Sequence, residues 1–134
     1  MAEKFILKIV TPDRQFFDEE VDMVEFNTTE GEIGIYKGHV PLTVIVKPGV
    51  LTITQGEQKK SAALHAGFVQ ILPEEVTILA EIIEWPGEIN EERAKAARER
   101  AESRLRGGAD EVDVARAEAA LMRSIARINA YHLK

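Results

Sequence analysis

The sequence predicts an α+β chain laid out in order: an N-terminal flattened antiparallel β-sandwich or barrel, then a C-terminal antiparallel α-helical hairpin. Three observations carry this. Short apolar and β-branched runs, separated by Gly, Pro and Asp, fill the first 85 residues. The pattern changes abruptly at Trp85-Pro86-Gly87. Beyond that seam Ala, Glu and Arg, all strong helix formers, run on with one break at Gly107-Gly108. The expected division is a β-sandwich domain over 1–85 and a helical hairpin over 86–134.

Taken in order, residues 4–10 are a β-type run stopped by Thr11-Pro12-Asp13. Asp18-Glu19-Glu20 reads as a solvated turn, and Asp22–Asn27 is again β-prone. Glu30–Ile35 is a Gly-punctuated strand or turn, and Leu42–Val46 is a strand turned by Pro48-Gly49. In Val50–Thr54, Leu51 and Ile53 alternate with Thr52 and Thr54, as in a half-buried strand. Gln55-Gly56-Glu57 is a hairpin turn into Lys59–Leu64. Phe68–Leu72 and Val76–Ala80 are strands joined at Pro73-Glu74-Glu75. Closely spaced short strands of this kind build sandwiches and flattened barrels.

Asn90 is an N-cap for a helix whose first turn holds Glu91 and Glu92, where acids meet the positive end of the dipole. Asp110 restarts the helix after the glycines, with Asp113 three residues on. The apolar face of the first helix is thin: Ala94, Ala97, Ala101 and Leu105. The second carries Val112, Ala115, Ala119, Met122 and Ala126 on one stripe, and Val114, Leu121, Ile125 and Ile128 on another. Alanine removes little apolar area, so the hairpin is marginal alone and must dock. The Leu121–Ile128 stripe either grips a partner or stays on the β-domain.

Composition excludes several classes. No window approaches 18 consecutive apolar residues, so no membrane span is expected. Met1-Ala2-Glu3-Lys4 lacks the features of a signal peptide. With 0 Cys there is no disulfide, thiolate metal site or Cys nucleophile. The net charge of −6 argues against nucleic-acid binding. Charge is unevenly split: residues 1–85 hold 7 Lys/Arg against 14 Asp/Glu, and residues 86–134 hold 10 against 9.

Of those 10 basic residues 8 are Arg, whose rigid fork suits carboxylates and phosphates. Arg93, Arg100 and Arg104 lie at i, i+7 and i+11; Arg116, Arg123 and Arg127 repeat that spacing. Each trio spans about 40° of its helix at 100° per residue. The stripes face an anionic target, a polyphosphate or an acidic helix, or they serve ion pairs. Helical ion pairs form at i±3 and i±4, and only Arg116, beside Asp113, has an acid at those spacings. His39, His65 and His132 are far apart and form no metal set. No Walker A lysine motif or nucleophile elbow is present, so no catalytic residue is expected.

The chain resembles the epsilon subunits of bacterial F-type ATP synthases, particularly the Bacillus-like members. The residues that carry this are Val10-Thr11-Pro12-Asp13, the run Glu30-Gly31-Glu32-Ile33-Gly34-Ile35-Tyr36-Lys37-Gly38-His39-Val40-Pro41-Leu42, Ala66-Gly67-Phe68-Val69, Val76–Ala80 and Arg93–Glu102. The family often has Pro where Lys37 stands. The resemblance implies a non-catalytic rotor subunit, peripheral on the cytoplasmic face of the bacterial plasma membrane, without direct membrane insertion. Its implied partners are the gamma subunit, the c-ring and the alpha/beta catalytic head. The β-domain would attach to the rotor, with Glu30, Gly31, Glu32 and His39 as contact residues. The hairpin would move between a form folded on the sandwich and an extended form that inhibits ATP hydrolysis. In the extended form Arg116, Arg123 and Arg127 would meet the acidic segment of the beta subunit.

Some Bacillus-like members also bind ATP through an Ile-Asp-x-x-Arg-Ala motif. The match is Ile89-Asn90-Glu91-Glu92-Arg93-Ala94, with Asn90 in place of Asp. Asn still caps a helix, but it loses a charge and gains an NH₂ donor. Matching positions elsewhere are Glu84, Arg100, Arg123 and Arg127. The alternative function is therefore an ATP sensor: no cofactor is required, and ATP is a regulatory ligand that locks the hairpin folded.

Overall fold

The alternating runs become ten strands in a computed structural model that describes residues 3–38, 40–107 and 111–133, with Glu111 and Val112 described by backbone alone. The strands are β1 (Phe5–Val10), β2 (Gln15–Val21), β3 (Met23–Thr28), β4 (Gly31–Ile35) and β5 (Leu42–Val46). They continue as β6 (Gly49–Gln55), β7 (Gln58–Leu64), β8 (Gly67–Ile71), β9 (Glu75–Ala80) and β10 (Ile83–Glu84). A 3₁₀ turn at Pro86–Glu88 leads into α1 (Glu91–Arg106) and α2 (Glu111–His132).

The strand order is β10-β7-β6-β3-β5-β8-β9-β1-β2, with β4 on β3. Strand β3 holds the two layers together: Met23–Glu25 pair with β6, and Thr28 pairs with Val46 of β5. Between the layers lie Leu7, Ile9, Val24, Phe26, Ile35, Leu51, Ile53, Val69, Ile71 and Ile78, all essentially inaccessible to water. Burial of this set is the main stabilising term of the sandwich.

Three features depart from the expected sandwich. Strand β1 pairs parallel to β9, Leu7 opposite Val76, so the sheet is not wholly antiparallel. Asp18-Glu19-Glu20 is not a turn but the solvent side of β2, which buries Phe16, Phe17 and Val21. Ile83-Glu84 adds a short strand beside Leu64 and Ala63 of β7.

Helix α1 opens as expected, with Asn90 Oδ1 accepting the Arg93 N–H at 3.0 Å. The expected cap Asp110 and break residue Gly108 lie outside the described residues. Helix α1 buries only Ala94 and Ala101, confirming the thin face. Helix α2 packs on α1 and on β6 and β7. Its buried residues are Ala117, Ser124, Ala126, Ile128 and Ala130. Ser124 satisfies its hydroxyl by donating to the Ala120 carbonyl at 2.8 Å. Ala115, expected on a buried stripe, is exposed, and Ile125 only rims a recess beside Pro48 and Val50. The open end of the hairpin is closed by His132 Nε2 on Glu91 Oε2 at 2.6 Å.

Gly67 has a packing reason: a Cβ there would overlap the backbone oxygen of Leu79 on β9. Gly87 has none, for a Cβ would meet nothing, and its φ is not among the positive glycine values. Replacing Gly67 by Ala should therefore cost about 1–3 kcal/mol. Gly87→Ala should stay within about 0.5 kcal/mol of the parent. Chemical denaturation of both variants checks the contrast, and equal losses would contradict it.

Candidate functional site

The sequence from Glu84 to Arg100 wraps one cleft of about 380 Å³ between the sandwich edge and the hairpin. Strand β10 supplies Glu84, the 3₁₀ turn supplies Glu88, and the approach to α1 supplies Ile89 and Asn90. Arg93, Ala94, Ala97 and Arg100 line it at helical spacing, and α2 contributes Arg127. Seven of the eight residues matched to the nucleotide motif thus converge: Glu84, Ile89, Asn90, Arg93, Ala94, Arg100 and Arg127. Arg123 does not line this cleft. One turn before Arg127, it lines a neighbouring recess of about 530 Å³ with Lys47, His65, Glu81 and Met122.

Glu84 is the electrostatic centre of the cleft. Its Oε1 accepts Arg127 Nε at 2.7 Å and lies 3.2 Å from Nε2 of His65, a side chain only 1% exposed. Burial pushes the Glu84 carboxyl up, but the hydrogen bonds from His65 and Arg127 outweigh it and hold it below its ordinary value. This is the one ion pair between sandwich and α2 among the described residues. Using Nε on Glu84 leaves the terminal amino groups of Arg127 for the cleft. Arg93 and Arg100 make no ion pair among the described residues, and with Arg127 they place three guanidiniums around the cleft. Such groups bind phosphate or carboxylate through charge-assisted hydrogen bonds.

The three arginines expected to meet the beta subunit do not present one face here. Arg116 is exposed at the hairpin tip with Arg104 and Asp113, Arg123 is half-buried, and Arg127 is held by Glu84. Of the expected rotor contacts, Glu30 and Gly31 are exposed in the β3–β4 turn, with Gly31 at φ 120°. Thr28 shapes that turn, its hydroxyl donating to the Gly31 carbonyl at 2.7 Å. Glu32 is also exposed and lines the recess with Met122 and Asn129 of α2. His39 lies outside the described residues. A different surface stands out. Ile45, Phe68 and Leu79 are 63%, 45% and 41% exposed and lie in one cross-strand row that ends at Val10.

Sequence reading missed Glu88 and His65. Glu88 carried a usable signal, three residues after Trp85 at a turn with Pro inside. His65 carried none, since only the folded corner brings it to Glu84, 19 residues away.

Sandwich, docked hairpin and basic cleft define a class of protein: a small β-sandwich subunit bearing a two-helix arm. Residues 4–86 match the ATP synthase delta/epsilon chain beta-sandwich domain, and residues 88–131 match the delta/epsilon chain long alpha-helix domain. The chain belongs to the ATP synthase delta/epsilon chain family. It is 44% identical over 128 residues, 96% of either chain, to the ATP synthase epsilon chain of Syntrophobacter fumaroxidans. To the epsilon chain of Bacillus velezensis it is 39% identical over 123 residues, 92% of this chain and 93% of that one. A chain in the cryo-EM structure of Euglena gracilis mitochondrial ATP synthase, OSCP/F1/c-ring in rotational state 1, superposes with a TM-score of 0.84 at 25% identity. That match covers 98% of this chain and 82% of the other. Among the described residues no helix is long and apolar enough to cross a membrane.

The depressed Glu84 carboxyl sets a pH expectation. Its contribution to docking is complete above the ordinary carboxylate value of 4.5 and is lost as pH falls through the lower folded value. Acid titration, with hairpin-to-sandwich distance read by paired spin labels, should show docking that persists below 4.5 and then fails. In Glu84→Gln this acid-dependent step should vanish. An unchanged step in that variant would show that another group controls docking.

Proposed function

We propose that this chain is a non-catalytic central-stalk subunit of a proton-translocating F-type ATP synthase. It couples rotation between c-ring and catalytic head and restrains ATP hydrolysis through its hairpin. Residues 1–85 attach to the rotor and residues 86–134 regulate. It works peripherally, on the cytoplasmic face of the bacterial plasma membrane. The observation that carries the regulatory half is the weak fastening of the hairpin: an alanine-rich seam, flanked by Val50 and Tyr131, and one ion pair join α2 to the sandwich. Each buried Ala methyl contributes about 0.8 kcal/mol, well below a Leu or Ile. An arm held this lightly can leave.

Attachment to the gamma subunit falls to the uncovered apolar row Ile45–Phe68–Leu79, since exposed apolar patches mark interaction surfaces. The Glu30–Glu32 turn and His39 remain the proposed c-ring and rotor contacts. Once undocked, Arg127 is free of Glu84 and joins Arg116 and Arg123 as a basic stripe for the beta subunit. Deleting residues 88–134 should raise ATP hydrolysis by the reconstituted catalytic head, and unchanged hydrolysis at every ATP level would sink the inhibitory role. Replacing Arg116, Arg123 and Arg127 together by Ala should likewise relieve inhibition. Undiminished inhibition would remove the electrostatic part of the account.

A second reading is favoured by the convergence of seven motif positions on one arginine-lined cleft. ATP there would touch both helices and the sandwich edge, and so would bind the folded form alone. A ligand selective for one state stabilises that state by mass action. Calorimetry with millimolar ATP should give binding heat and a raised melting temperature. Absence of both would exclude the sensor.

A further inference from the structure

The linker between sandwich and hairpin is itself fastened. The single Trp of the chain, Trp85, stacks on Phe16 of β2 with ring centroids 4.2 Å apart and planes at 21°. Phe17 meets it edge-on at 6.3 Å. The guanidinium of Arg14 lies 5.0 Å from the Phe16 ring centroid and donates to Glu88 Oε1 at 2.7 Å. The same Glu88 oxygen accepts the Trp85 N–H at 2.9 Å, while the Glu88 N–H donates to the Trp85 carbonyl at 2.9 Å. Arg14 is pre-positioned, because Thr11 Oγ1 accepts its N–H at 3.1 Å. Residues 85–88 thus form a closed turn pinned to β2 by stacking, cation–π contact and an ion pair.

The pinning ends at Glu88. Ile89 is buried in a cluster with Ala63 and Ala130, flanked by Val50 and Tyr131, so its packing is shared between the sandwich and the moving helix. Asn90 is exposed and extended, at φ −94° and ψ 106°, and its side chain bonds only forward, to Arg93 within α1. Rotation at these two residues separates hairpin from sandwich and breaks the contacts of the 3₁₀ turn with α2, but leaves the contacts of residues 85–88 with β2 and Arg14 intact.

We propose that the hairpin pivots at Ile89–Asn90, and that Trp85-Pro86-Gly87-Glu88 stays clamped to β2 by Arg14 and Phe16 in both positions of the arm. The clamp keeps Glu84 and Glu88 fixed as the stationary wall of the cleft, while Arg93, Arg100 and Arg127 leave with the helices. This inference rests on the reading that the hairpin undocks.

The chain has 0 Cys, so Ala63→Cys places a single thiol beneath the hairpin in the full-length protein. Ala126→Glu with Ala130→Glu puts charge into the seam, and Met122→Glu is a second route that leaves those alanines intact. Both should speed thiol labelling at position 63 by roughly tenfold or more. The emission maximum of Trp85 should stay at its parent value throughout. Phe16→Ala in the docked protein supplies the red-shifted reference for an unclamped indole. Labelling accelerated together with emission at that reference would place the pivot before Trp85 and overturn the clamp. Continued protection of the thiol at position 63 in both variants would overturn the undocking reading, and the pivot with it.

Discussion

The bond between Glu84 and Arg127 joins two parts of the chain that otherwise meet through an alanine-rich seam with few large side chains. It links β10 to α2 across 43 residues of sequence at 2.7 Å, and His65 backs it from inside the sandwich. Both charges are partly desolvated, at 24% and 28% side-chain exposure, which strengthens their attraction relative to a surface pair. Remove Glu84 and Arg127 keeps a partly desolvated charge without its partner; remove Arg127 and Glu84 keeps only His65. The folded position of the hairpin depends on this contact more than on any other polar one. Arg127 is also the residue with most claims on it. It serves the lock, it lines the proposed nucleotide cleft, and it belongs to the stripe proposed for the beta subunit. The first two are compatible, since Glu84 engages Nε and Arg127 also lines the cleft. The third requires the lock to open. In the proposed function, one guanidinium would thereby make docking and inhibition mutually exclusive.

The distribution of rigid and weak packing fits this division. The sandwich interior is a continuous set of branched and aromatic side chains that cannot be rearranged cheaply. The hairpin buries Ala94 and Ala101 on α1 and Ala117, Ala126 and Ala130 on α2, the helix that meets the sandwich, with Ile128 the one large buried side chain of α2 among the described residues. Small residues let the helices lie close while offering little area to hold them. The charged residues on the outer faces, such as Arg98 and Glu102 at 3.5 Å, support each helix by itself. Helix integrity and docking are thus carried by different residues, as the proposed movement of the arm as a unit requires.

Much of this was legible in the sequence. The alternation of Leu51, Thr52, Ile53 and Thr54 is realised as buried and half-buried positions of β6, and Asn90 caps α1 as its type demands. The absence of local acids near Arg93 and Arg100 anticipated their lack of ion pairs among the described residues. Other features were not legible, for physical reasons. Strand β2 was hidden because three consecutive acids mask its period; an edge strand can carry them, since its outer side meets water. The parallel β1–β9 pair is a long-range choice that no local pattern encodes. Helix α2 buries its seam at Ala117, Ser124 and Ile128, which helical periodicity alone could not choose over Ala115, because both neighbours of α2 were unknown. His65 and Arg14 gained their roles only from tertiary approach.

A double-mutant cycle on Glu84→Gln and Arg127→Gln, with docking read as protection of a thiol at position 63 under α2, tests the central claim most directly. Each single change should loosen the hairpin, and the double variant should lose little more than either one. The predicted coupling energy is about 1–3 kcal/mol. Additive effects, with coupling near zero, would show that the alanine seam alone holds the hairpin and that the ion pair is not its lock.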